Sequence, residues 1–167
     1  KKPDRDCPKF LKMQKCFGWL SYTILRSERR DGPGERWRLF DFDQTHILTL
    51  ILSGMWKYGW QVGIRFRLAS GNPSTFFNGG IFDADADQYI GLPGPINEER
   101  LPLFHQLDLR VDKKFVFKKW ILTVYLDIQN VYNFRAKEFV QYNFNFTQRG
   151  FVMGLPIIPS IGVKGSF

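Results

Sequence analysis

The chain has 167 residues, 44% hydrophobic and 24% charged, which is compatible with one ordinary core, so length alone excludes little. The unusual quantity is 17% aromatic residues (17 Phe, 6 Tyr, 5 Trp) beside only two His and two Cys, a composition suited either to an aromatic core or to a membrane interface. The formal charge of +8 invites a nucleic-acid partner, but the basic residues crowd the start of the chain and later ones alternate with carboxylates, as in Asp108, Arg110 and Asp112; with no binding module beside them, nucleic acid is rejected.

In chain order, residues 1–15 read as a polar turn or a leader foreign to the remainder of the chain. They include no Met start and no apolar run, so no signal peptide is read there and the beginning of the protein is expected elsewhere. Cys7 and Cys16 have no His pair at zinc spacing. A disulfide closing a polar loop is open in an oxidising compartment, and two unrelated thiols is the preferred reading. No stretch approaches the roughly 18 apolar residues of a spanning helix; Ile47 to Leu52 is the longest candidate and Thr49 breaks it.

From 16 to 167 the dominant period is two. Strands are predicted over Phe17 to Arg26 and His46 to Trp56. A third runs over Gln61 to Leu68, where Val62, Ile64, Phe66 and Leu68 oppose Gln61, Gly63, Arg65 and Arg67. Gln106 to Asp112 and Leu122 to Gln129 repeat the alternation, and a last strand ends at Ile161 to Phe167. Lys57-Tyr58-Gly59 and Lys113 to Lys119 read as short turns. Glu28 to Arg36 and a Gly/Pro/Asn-rich excursion at 70–102 read as long loops, with a ribbon of Tyr142 to Phe146 and Phe151 to Pro156 turning at Gln148-Arg149-Gly150. The expected fold is all-β, an antiparallel up-and-down meander of about 5–6 long strands, forming a segment of a larger transmembrane β-barrel.

Short connections on one end and long ones on the other are the pattern of an outer-membrane barrel, with short turns in the periplasm and long loops outside. Trp56, Tyr58 and Trp60 flank one short turn and Phe115, Phe117 and Trp120 the other; they form either an aromatic girdle or a small core under each hairpin. A soluble sandwich or lipocalin-like barrel alternates in the same way with its apolar face inward, and a passive porin-like barrel shares the pattern too.

Arg65, Arg67, Asp108, Arg110, Asp112 and Asp127 fall on the polar face of neighbouring strands. They read as a self-balancing charge ladder first and as contacts for a plug or substrate second. Asp83, Asp85 and Asp87 hint at a calcium loop, but Gln88 and Gly94 stand where an EF-hand needs Gly and Glu, so an acidic solvated loop is preferred and no metal is assigned. With Phe76, Phe77, Tyr89 and Ile90 that loop is the candidate contact for an external small ligand. His46 and His105 have no nucleophile motif around them, so no enzyme activity and no cofactor are expected.

The segments FGWLSYTILRSERRDGPGERWRLFDFDQTHILTL, GWQVGIRFRLASGNP, LPLFHQLDLRVDKKFVF, WILTVYLDIQNVYN and GLPIIPSIGVKGSF, in that order, resemble the C-terminal barrel strands of TonB-dependent outer-membrane receptors. The resemblance runs from about Phe17 to Phe167. It implies a place in the bacterial outer membrane among its lipids, energised uptake of a scarce ligand such as a metal chelate, vitamin or oligosaccharide, and coupling to the TonB complex through N-terminal parts this chain lacks. It also implies that Asp127 to Asn133 stands in the penultimate strand, that Gly71-Asn72-Pro73 leaves the barrel rim, and that Phe167 is the terminal aromatic read by the barrel assembly machinery. A receptor of this kind closes about 22 strands around a plug.

Overall fold

The computed structural model describes residues 13–167. Six long strands carry the fold: β1 (Lys15–Ile24), β4 (His46–Met55), β5 (Trp60–Ala69), β10 (Phe104–Val116), β11 (Ile121–Gln129) and β14 (Ile158–Ser166). They form one sheet in the order β1-β4-β5-β10-β11-β14, every neighbouring pair antiparallel, so the chain meanders from one edge to the other. Among the described residues β1 and β14 do not pair with each other, and the sheet is open.

Its two ends differ. Lys57–Gly59, a single 3-10 turn, joins β4 to β5, and the Phe117 N–H donates to the Trp120 carbonyl to close the β10–β11 hairpin. At the opposite end the connections are long and structured. Between β1 and β4 lie β2 (Glu28–Arg29) and β3 (Arg38–Leu39), which pair. Between β5 and β10 lie β6 (Pro73–Ser74), β7 (Phe77–Asp83), β8 (Gln88–Pro93) and β9 (Glu99–Arg100), pairing as β6–β9 and β7–β8. Between β11 and β14 lies the hairpin of β12 (Lys137–Tyr142) and β13 (Arg149–Met153). The excursion at 70–102 is thus a hairpin with an interrupted ladder, β6–β9 at its base and β7–β8 beyond, rather than irregular loop.

Register aligns the alternation across strands. One row runs Gly18, Leu52, Ile64, Leu109, Ile128, Pro159, and the next runs Gly54, Val62, Val111, Leu126, Ile161. All such rows share one apolar face; the other face carries Arg, Asp and Gln residues on β5, β10 and β11, but Phe17, Trp19, Ile47, Ile51 and Met55 on β1 and β4, where both faces are largely apolar. No described element packs across either face. The buried hydrophobic residues among those described are only Ala69, Phe76 and Ala136, while Leu20 is 63% exposed, Ile161 77% and Val163 66%. The accessible surface is 12670 Å², against about 8,600 Å² for a folded monomer of this size. An apolar face six strands wide therefore lies open.

Three boundaries and one pairing depart from the sequence expectation. β10 continues through Lys113–Val116, so the hairpin turn is Phe117 to Trp120 and not Lys113 to Lys119. The alternation survives because Lys113, on the apolar face, bends to donate to the Tyr58 carbonyl at 2.7 Å. The outer ribbon turns at 143–148, where Asn143 accepts the Phe146 and Gln148 N–H groups and Phe146 takes φ 58°; Gly150 lies within β13 opposite Gln141. Lys15 already pairs with Met55, so the sheet begins one residue before 16, and most of the expected 1–15 segment lies outside the described residues. Cys16 is disulfide-bonded, which corrects the reading of two unrelated thiols; Cys7 lies outside the described residues.

Candidate functional site

The polar face carries two charge clusters on β5, β10 and β11. Arg65 on β5 reaches Asp108 on β10 at 2.7 Å, and Asp108 also accepts the Gln106 amide at 2.6 Å and the Asn130 backbone N–H at 3.0 Å. Arg110 pairs with Asp112 at 3.0 Å and with Asp127 across the strand at 3.6 Å, its guanidinium lying 4.1 Å over the Tyr125 ring. Arg67 donates to Gln106 at 3.1 Å, while its buried Nε has no partner. The structure thus brings all six predicted polar-face residues to one side, with every carboxylate engaged by an arginine or an amide. A shallow cavity of about 440 Å³ lies over Arg65, Asp108, Arg110, Asp112 and Asp127.

Tyr125 stays over the Arg110 cluster because Gly162 opposes it on β14: a Cβ there would run into the ring. Gly162→Val is expected to displace Tyr125 from Arg110 and to cost about 1–3 kcal/mol, read as a lower midpoint of thermal or denaturant unfolding of the intact protein. An unchanged midpoint would contradict the close packing.

At the turn end, Trp60, Phe115, Phe117 and Trp120 are exposed rather than packed into a hairpin core, and Phe117, Trp120 and the fully exposed Phe167 stack in series. The loop end carries two tyrosine–histidine pairs that the sequence did not mark. There Tyr22 meets His46 Nδ1 at 2.8 Å, and Tyr132 meets His105 Nδ1 at 2.7 Å, with Phe134 stacked on His105. Partial desolvation and, after it, the Asp108 charge raise the Tyr132 phenol above its ordinary value. Both histidines are engaged with tyrosines, and no group of metal-ligating side chains occurs among the described residues.

The loop end has its own anchor, which no sequence motif signalled. Asp43, 0% exposed, accepts the Ser27 N–H at 2.6 Å and the Thr45 hydroxyl at 3.1 Å, and is ion-paired to Arg100. Arg100 also donates to the carbonyls of Asp43 and Gly71. Burial alone would raise the Asp43 pKa, but the Arg100, Ser27 and Thr45 hydrogen bonds outweigh it and hold the carboxyl below its ordinary value. Asn97 adds bonds to the Leu39 carbonyl and to Asp41. The excursion after β1 is therefore fastened to the one after β5.

The predicted external-ligand residues divide. Phe76 is buried beneath Arg149, and Phe77 packs against Tyr142 and Phe146 while its N–H donates to the Tyr142 hydroxyl. Both hold the β7–β8 and β12–β13 hairpins together, which corrects their reading as exposed contact groups. Asp83 accepts the Asp85 and Ala86 N–H groups and so closes the β7–β8 turn; Asp85 and Asp87 are solvated, Asp87 with φ 50°. Tyr89 stays partly exposed between Phe82 and Phe144. Ile81, Ile90 and Leu92 are exposed on the same hairpin.

No protein-family model, curated protein or solved structure matches the chain.

Proposed function

We propose that this chain is a wall segment of an outer-membrane β-barrel, the C-terminal part of a TonB-dependent receptor that imports a scarce ligand. One observation carries the membrane reading: six consecutive antiparallel strands of 9 to 13 residues share an apolar face that nothing described covers. A strand tilted across a bilayer needs about 9–11 residues. Lipid is the apolar solvent that such a face needs, and the charged side of β5, β10 and β11 opposite it is suited to a watered lumen. A soluble barrel or sandwich would turn the apolar face into a core, and the few buried hydrophobic residues do not supply one. The open edges at β1 and β14 would then pair with further strands, since unpaired backbone groups have no water partner in lipid.

The receptor assignment is supported by the five segments of the sequence and their order. Energy coupling and the plug would come from N-terminal parts, and the transported ligand would meet the outer hairpins before the charged lumen. The test is cell fractionation and uptake. The complete protein is expected in the outer-membrane fraction, and its support of growth on the scarce nutrient is expected to disappear in a TonB-deficient strain. Undiminished uptake without TonB would favour a passive pore, and recovery of the protein in a soluble fraction would end the membrane reading.

Phe167 ends the last strand fully exposed beside Trp120, which suits a residue presented to an assembly factor. Its deletion is expected to lower outer-membrane yield several-fold, measured by quantitative blotting, with little change in synthesis. Equal yield would remove the assembly role.

A further inference from the structure

Charge is sorted along the strands in a way the transport reading does not require. Among the described residues, every carboxylate outside the six long strands lies in the loop-end excursions, whereas every lysine except Lys137 lies at the turn end. Five of the eight loop-end arginines among the described residues, Arg26, Arg29, Arg38, Arg100 and Arg149, pair with a carboxylate, and Arg30, Arg36 and Arg135 do not. No lysine of the turn end takes part in an ion pair among the described residues.

Four of these lysines lie in or beside the two turns, three of them exposed and Lys113 half-buried with its ammonium donating to the Tyr58 carbonyl. Lys57 stands in the 3-10 turn, which is packed against β10: Gly59, with φ 78°, has no room for a side chain beside the Lys114 backbone. Lys113 rises from the apolar face between Trp60 and Phe115, its ammonium 4.7 Å and 5.6 Å from the two ring centres. Lys118 and Lys119 are exposed in the next turn between Phe117 and Trp120. Aromatic rings would lie at headgroup depth with ammonium groups lacking carboxylate partners just beyond them, a combination that fits phosphate-bearing headgroups.

We infer that Lys57, Lys113, Lys118 and Lys119 form a binding surface for anionic phospholipid headgroups of the leaflet at the turn end. The inference rests on the membrane reading above. Lys114 and Lys164 face the polar side and take no part. Each lysine beside an anionic surface is worth about fivefold in binding, so four acting together give a preference that survives moderate salt.

The test reconstitutes the complete protein into vesicles of phosphatidylcholine with and without phosphatidylglycerol, confirms insertion by flotation, and counts retained lipids by native mass spectrometry. The wild type is expected to retain phosphatidylglycerol over phosphatidylcholine by at least about tenfold. The variant K57Q/K118Q/K119Q is expected to lose most of that preference, and K57Q/K113Q/K118Q/K119Q the rest, both inserting normally. Equal retention of the two lipids by inserted wild type, or an unchanged preference in both variants, overturns the headgroup site and leaves the membrane reading standing. Displacement of the retained lipid by inorganic phosphate overturns it as well, in favour of a free-phosphate site. Failure to float with either vesicle overturns both readings.

Discussion

Ile64→Lys is expected to abolish assembly of the complete protein in the outer membrane while Arg65→Gln, one residue away, leaves it intact. Ile64 stands four residues beyond Trp60 on β5 and shares its row with Leu52 and Leu109. If Trp60 lies at a bilayer interface as proposed, about 3.3 Å per residue and a tilt of about 40° would put Ile64 about 10 Å inside it, near the midplane. A lysine there costs about 2–4 kcal/mol, and Val124, four residues beyond Trp120 on β11, is expected to behave alike. Arg65 faces the other way and already pairs with Asp108. Heat-modifiable migration of the membrane-extracted protein reads the result. Normal assembly of Ile64→Lys, or an equal defect in Arg65→Gln, would reverse the facing assignment.

Arg100→Ala is expected to release the outer ribbons without unfolding the sheet. Asp43 is fully buried, and removing its arginine leaves a buried carboxylate held only by Ser27 and Thr45. Breaking such a pair costs about 3–5 kcal/mol. In the wild type the carboxyl is depressed below its ordinary value of 3.8, so its stabilising contribution is present above that value and is lost only as pH falls through the lower, folded-state one. Proteolysis of the 25–45 and 70–103 segments at neutral pH is expected to speed up at least tenfold, and to be partly rescued by Asp43→Asn in the same background, which removes the unpaired charge. A proteolysis rate unaffected by Arg100→Ala would show that the ribbons are held by other contacts.

The strands β5, β10 and β11 were legible because each has an apolar and a polar side, which imprints period two on Gln61 to Leu68 and on Leu122 to Gln129. The expected break at Lys113 failed for a physical reason: a lysine on the apolar face can carry its charge to Tyr58 without ending the strand. The outer ribbons were poorly legible. Their strands run from 2 to 7 residues, and the β12–β13 turn is set by Asn143, Asn145 and Thr147 bonding to nearby backbone, a local chemistry that Gly150 outshone in the sequence. Phe76 and Phe77 looked exposed because a loop of that composition usually is, and only the approach of the β12–β13 hairpin, Arg149 over Phe76 and Tyr142 and Phe146 against Phe77, covers them. The Asp43–Arg100 anchor joins positions 57 residues apart and has no local signature.

If one face of this sheet meets lipid and the other water, single nitroxide labels along β5 separate the two faces. The labels are placed in the complete protein in native membrane vesicles and exposed to a lipid-soluble and a water-soluble relaxing agent. Labels at Val62, Ile64, Phe66 and Leu68 are expected to respond to the lipid-soluble agent and those at Gln61, Arg65 and Arg67 to the water-soluble one. Labels at the first set shielded from both agents would place that face in a protein core and contradict the membrane reading.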